Sequence, residues 1–204
     1  MRRLAIATIA AASLIAPLGA PAASLDRTYR VPAARLVFAL PDPWKPVNAR
    51  TVFTDKNLGA LVRANPSFAV IFAQLAQPNS PMKFFAVDPQ VHHGFATSAN
   101  VTVTPLPYPM THDEFLSASV AAYTGYEIRN QNFALVTLPG GTAVRATFQL
   151  QFATASGKRW ISTRQYSFMR GISEVTVTYA TQPEFERHYR PTFLASARSI
   201  RFRS

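Results

Sequence analysis

Residues 143–152 alternate without a break: Val144, Ala146, Phe148, Leu150 and Phe152 are apolar, while Arg145, Thr147, Gln149 and Gln151 between them are polar. A period of two puts all the apolar side chains on one face of an extended strand and the polar ones on the other. Such a strand belongs in an antiparallel sheet with one packed and one wet face, because a parallel strand buried on both sides reads as a continuous apolar run. The flanking sequence agrees. A strand over Phe133–Leu138 turns through Pro139-Gly140-Gly141 into this one, a strand over Arg159–Met169 follows, and Ile172–Ala180 comes next after a tight turn at Arg170-Gly171. Four strands joined by short turns make the second half of the chain a meander.

The first half mixes helices with shorter strands. Leu36, Phe38 and Leu40 alternate in a strand over Arg35–Leu40, which Pro41, Pro43 and Pro46 stop. A helical pair follows. Asp55 caps a first helix bearing Leu58, Leu61 and Val62, and Asn65-Pro66 starts a second whose Phe68, Ile71, Phe72 and Leu75 share one face. Strands over Lys83–Val87 and Asn100–Thr104 flank a loop containing Asp88-Pro89 and His92-His93-Gly94. Thr111-His112-Asp113-Glu114 is a capping box opening a helix with Phe115, Leu116, Val120 and Tyr123, ended by Gly125. A last helix, capped by Thr181 with Pro183 and Glu184 in its first turn, buries Phe185, Tyr189 and Phe193 and bends at Pro191. The fold class is α+β: an antiparallel sheet of about six to seven strands with helices packed on it.

The chain opens as a bacterial secretory signal. Arg2 and Arg3 precede an uncharged apolar run from Leu4 to Ile15, and Ala20-Pro21-Ala22 fits the small-residue cleavage rule, giving a mature N-terminus at Ala23, with Ser24 the alternative. The run is shorter than the roughly 20 residues that span a bilayer, so no transmembrane helix remains after cleavage. Residues 1–22 are the signal peptide and 23–204 one domain, without repeats or linkers. Loss of Arg2 and Arg3 lowers the net charge from +11 to +9. The sequence contains no cysteine, which excludes thiol nucleophiles, Cys-based zinc sites, disulfides and a lipoprotein anchor.

Three segments carry a resemblance. Phe38-Ala39-Leu40-Pro41-Asp42-Pro43-Trp44 runs an apolar strand into P-x-x-W, Leu138-Pro139-Gly140-Gly141 opens the meander, and Phe193 leads through Ala197-Arg198-Ser199-Ile200-Arg201-Phe202 into a terminal strand. In these the chain resembles the PsbP-like family, in its exported bacterial branch, although Pro43 stands where glycine is usual before Trp44. The resemblance implies an α/β/α sandwich used for binding, and it brings no shared catalytic residues.

Few side chains suggest chemistry. His92 and His93, with Asp88 four residues before His92, offer two imidazoles and a carboxylate to a metal, but adjacent residues of an extended chain point to opposite sides. Asp113, Glu114, Glu184 and Glu186 sit in first helical turns, where acids complement the helix dipole, and His112 lies at a helix start. Ser167 and Ser173 have no G-x-S-x-G elbow around them and no nearby histidine. Arg164 is more pointed. With Arg170-Gly171 as a two-residue loop, Met169 pairs with Ile172, Tyr166 opposes Val175 and Arg164 opposes Val177. Arg164 then shares an apolar face with Trp160, Tyr166, Phe168, Val175, Val177 and Tyr179. It must be paired, reach an edge or meet an anionic ligand, unless a bulge slips the register. Trp160, Arg164 and Tyr166 are thus the candidate ligand contacts. Basic residues gather in Arg187, Arg190, Arg198, Arg201 and Arg203, with Arg145 and Arg159 on the wet sheet face.

These features favour an exported, non-enzymatic binding or interaction module of the bacterial envelope, periplasmic or secreted, without a cofactor. Its partner is a protein, a small ligand or an anionic envelope component. Nucleic acid is disfavoured by export and by the lack of a groove-reading motif. The alternative is a metal-dependent or hydrolytic enzyme using the His92-His93 loop.

Overall fold

The structure is a computed structural model, and it describes residues 24–47, 66–92, 95–154 and 157–203. Its elements in chain order are β1 (Arg27–Val31), β2 (Leu36–Leu40), β3 (Lys45–Pro46), α1 (Pro66–Leu75), β4 (Met82–His92), β5 (Phe95–Pro105), α2 (His112–Ala121), β6 (Ile128–Leu138), β7 (Gly141–Thr154), β8 (Gly157–Arg170), β9 (Ser173–Thr181), α3 (Glu186–Ser199) and β10 (Arg201–Phe202). A seven-stranded antiparallel sheet runs β3-β4-β5-β9-β8-β7-β6, and a three-stranded sheet runs β1-β2-β10. The α+β class and the antiparallel sheet are therefore as the alternation implied.

Burial follows the period of two. One face of the large sheet, with Tyr166, Phe168, Val175, Val177 and Tyr179, packs on the small sheet and α3 through Leu36, Phe38, Leu40, Trp44, Phe193 and Ile200. On the other face α1 lays Phe68 and Phe72 over Phe85, Val87, Phe95 and Ile161. Farther along that second face Phe148 of β7 meets the Tyr123 ring, which follows α2, at 4.7 Å between centroids. The helices α1 and α2 thus cover the two ends of this face.

The three segments behind the family resemblance meet at one place. The Ala39 N–H donates to Ser199 Oγ at 2.8 Å. A Cβ on Gly140 would sit 2.8 Å from Ile200 Cγ2, so only glycine fits there. Phe202 lies edge-on to Phe168 at 5.2 Å. The motifs are the seam between the small sheet, the meander and α3.

Several expectations are corrected. The described residues of the segment between Lys83–Val87 and Asn100–Thr104 are strand and not loop: β4 runs on to His92 and β5 begins at Phe95, with Val91 opposite Ala96 and His92 opposite Phe95. A register shift between Val87 and Val91 takes up Asp88-Pro89, because a proline without an N–H is tolerated in a ladder at a bulge. In the β8–β9 hairpin Arg170 pairs with Ser173, Tyr166 with Val177 and Arg164 with Tyr179. The turn is Gly171-Ile172, with Gly171 at φ +62°, the positive value that short hairpins need. The shift is two residues, so every side chain keeps its face.

Thr181 caps no helix: it ends β9, fully buried, with its hydroxyl on Thr97 at 2.8 Å. A 3₁₀ turn over Pro183–Phe185 leads into α3 instead. The helix α2 stops at Ala121, ahead of Gly125, and Tyr123 lies in the turn that follows. The strands β1 and β3 escaped the sequence reading, whereas β10 is the terminal strand that the family resemblance implied. Asp55, Leu58, Leu61, Val62 and Asn65, read as a helix and a cap, lie outside the described residues, as does the signal segment.

Candidate functional site: a groove beside α2

Between α1 and α2 no element among the described residues covers the second face of the large sheet. Register brings polar side chains into rows there: Thr102, Thr176 and Ser167 in one, Asn100, Thr178 and Gln165 in the next. They floor a groove of about 1070 Å³. Its wall is apolar, built from Met110, Phe115, Ala118 and Ala122, with Tyr123 and Tyr126 beyond the helix. The wall is held by the capping box, in which Thr111 Oγ1 accepts from the Glu114 N–H while Glu114 accepts from the Thr111 N–H. Phe115 on the inner side of α2 is 3% exposed and anchors the helix to the sheet.

The floor is wired by hydrogen bonds. The Thr176 hydroxyl donates to Glu174 Oε1 at 2.9 Å, so across the 2.8 Å contact with Ser167 the serine is the donor. The Tyr123 hydroxyl donates to Gln165 Oε1, and burial pushes its pKa up to about 12. Among the described residues no histidine lines the groove, and its carboxylates are Glu127 and Glu174. Ser167 hands its proton to a hydroxyl and not to a base, so it lacks the partner that activates a nucleophile. Hydroxyl and amide floor, aromatic and aliphatic wall: the groove offers hydrogen bonds on one side and apolar contact on the other.

The residues singled out from the sequence lie elsewhere. Arg164 and Tyr166 are on the opposite face of the same strand. Arg164 is 9% exposed and donates through Nη2 to Glu186 Oε1 at 3.2 Å, and Arg190 Nε approaches the same oxygen at 3.5 Å. The Arg129 guanidinium lies 4.0 Å from the centre of the Trp160 ring. Tyr166 is buried with its ring edge-on to Tyr179. His92 stacks on Phe185 at 4.3 Å. Asp88 accepts from the Tyr189 hydroxyl at 2.8 Å and from the Gln90 N–H at 2.9 Å, so both its oxygens are engaged. Burial is the main cause that raises the Tyr189 pKa. His93 lies outside the described residues, and among those residues no three metal-ligating side chains come together. The groove had a signal that went unread. Asn100-Val101-Thr102-Val103-Thr104 and Glu174-Val175-Thr176-Val177-Thr178 both alternate, and their polar halves face each other across the β5–β9 pair.

No protein-family model matches the sequence, and no curated protein matches it significantly. Solved structures do match. Cyanobacterial PsbP (CyanoP) of Synechocystis sp. PCC 6803 is 13% identical, with 87% of this chain and 92% of that one aligned at a TM-score of 0.47. LpqN of Mycobacterium tuberculosis, involved in cell envelope biogenesis, is 8% identical over 83% of each chain at 0.50. The Ran-binding protein Mog1p of Saccharomyces cerevisiae is 9% identical over 86% of this chain and 94% of that one, also at 0.50. At such identities the likeness extends to the fold and not to the site. The layer order, the meeting of the three sequence motifs and the two matches at 0.50 together give the fold as the PsbP-like α/β/α sandwich.

Proposed function

We propose that this chain is an exported, non-catalytic binding module of the bacterial cell envelope, in which residues 23–204 form one domain and the groove beside α2 is the binding site. The observation that carries the reading is the groove itself: about 1070 Å³ of shaped surface with a hydrogen-bonding floor, an apolar wall and no nucleophile–base pair along it. The fold supports it, since LpqN is tied to envelope biogenesis and Mog1p binds the protein Ran. Export rests on the Arg2-Arg3 and Ala20-Pro21-Ala22 signal, and no helix among the described residues is long and apolar enough to cross a membrane. The ligand chemistry that fits is a molecule with one polar, hydrogen-bonding edge and one apolar face, free or displayed on a protein.

Two measurements test this. Mass spectrometry of the protein from its host should find the mature chain starting at Ala23, and an intact Met1 would refute export with cleavage. Ala118 is exposed on the groove side of α2, so Ala118→Trp fills the groove without touching the core. Native mass spectra should show a non-covalent adduct on the wild type and none on the variant. An adduct retained undiminished by Ala118→Trp would move the site elsewhere.

A further inference from the structure

A second cleft, of about 560 Å³, lies where the 3₁₀ turn before β2, the β8–β9 hairpin and the C-terminal strand come together. It shares no lining residue with the groove. Arg35, Arg170 and Arg203 line it from those three separate segments, with Ser173 and the backbone of Gly171, and no Asp or Glu is among its lining residues. Three arginines line one cleft with no acid among its described lining residues, so an anion there would offset the repulsion between like charges.

Two further observations describe how the cleft's arginines are held. Arg35 is held in the left-handed region, at φ +48° and ψ +31°. Glycine fills that conformation without steric cost and arginine does not; the position is the C-cap of the 3₁₀ turn, where the Arg35 N–H donates to the Pro32 carbonyl at 2.9 Å. Arg170 lies with its guanidinium 4.5 Å from the centre of the Phe202 ring. A guanidinium fixed by its face presents its N–H edge, the geometry that grips an oxyanion with two parallel hydrogen bonds.

We infer that the Arg35–Arg170–Arg203 cleft binds a phosphate-type oxyanion, whether as free phosphate or as the phosphodiester of a lipid headgroup. The test titrates the mature protein with inorganic phosphate, followed by amide NMR shifts, and separately floats it with phosphatidylglycerol-containing vesicles and with neutral phosphatidylcholine ones. Saturable shifts at Arg35, Gly171 and Arg203 indicate the free anion as ligand. Binding to the anionic vesicles alone indicates the headgroup. In either case Arg170→Gln should weaken the interaction at least tenfold. Arg35→Gly should weaken it likewise while leaving Tm unchanged or higher, which separates loss of the site from loss of the fold. Arg187→Gln, an exposed arginine on α3, is the control and should change affinity less than twofold. Equal losses in the control and the cleft variants would reduce the effect to diffuse charge and overturn the proposal. So would the absence of binding in both arms. Ala118→Trp should leave this binding intact, so failure here and failure of the groove are told apart.

Discussion

Removing Glu186 should damage the fold more than removing the buried arginine it pairs with. The Arg164 side chain is 10% exposed and that of Glu186 21%, with 3.2 Å between Nη2 and Oε1. Glu186→Ala leaves a guanidinium that is nine-tenths buried without its counter-charge, which costs about 3 kcal/mol. For a chain of this length that lowers Tm by roughly 6–12 °C. Arg164→Met deletes the charge and keeps most of the apolar stem on the Tyr166–Tyr179 face. Glu186 then retains Arg190 at 3.5 Å and partial access to solvent, so the loss should be about 1 kcal/mol or less. The double variant Arg164→Met/Glu186→Ala should lie within about 1 kcal/mol of Arg164→Met alone, because no stranded charge remains. Urea denaturation followed by circular dichroism measures all three. Equal losses for the two single variants, or a larger loss for Arg164→Met, would refute the reasoning that the buried guanidinium depends on Glu186.

Gly140→Ala drives a methyl against Ile200 Cγ2 and should cost about 1–3 kcal/mol by overpacking, measured as a fall in the urea midpoint at constant slope. Thr111→Ala removes the capping box and should cost about 1 kcal/mol. The Thr111 backbone N–H, and then its hydroxyl, hold the Glu114 carboxyl below its ordinary value of 4.5. The stability this gives is present above that value and lost as pH falls through the lower folded pKa; the variant keeps the backbone N–H and loses only the smaller hydroxyl contribution, so its acid unfolding curve should be slightly flatter there. Tyr123, raised from 10.0 to about 12, gives stability that is complete below pH 10 and lost as pH rises through 12. Tyr123→Phe should abolish that alkaline loss, seen by following unfolding and tyrosinate absorbance together, at a cost of about 1 kcal/mol at neutral pH for leaving Gln165 without its donor.

The second half of the chain was legible because its strands are long and their alternation is clean. From Val144 to Phe152 each apolar residue lies on the α1/α2 side, and a hairpin register two residues off changed no facing. The elements that escaped are short and depend on distant partners. The two-residue strand Lys45–Pro46 exists only because β4 lies beside it, and Arg27–Val31 pairs with β2 alone. The Asp88–Gly94 stretch looks like a loop because proline and glycine normally end strands, and its bulge is visible only once β5 is in place. Arg164 was placed correctly on its face, yet its partner Glu186 lies 22 residues on and reads locally as a helix-start acid. The groove escaped for a related reason: a Thr–Val alternation shows which face is wet, not that the wet face lies at the centre of a sheet with helices at both ends.

The central claim is that this fold holds a molecule beside α2 without transforming it. A crystal structure of the protein as isolated from its host envelope tests that most directly. An intact molecule should lie between Tyr123 and the Thr102–Thr176–Ser167 row. A cleaved product in the groove, or an empty groove with the molecule seated elsewhere, would contradict it.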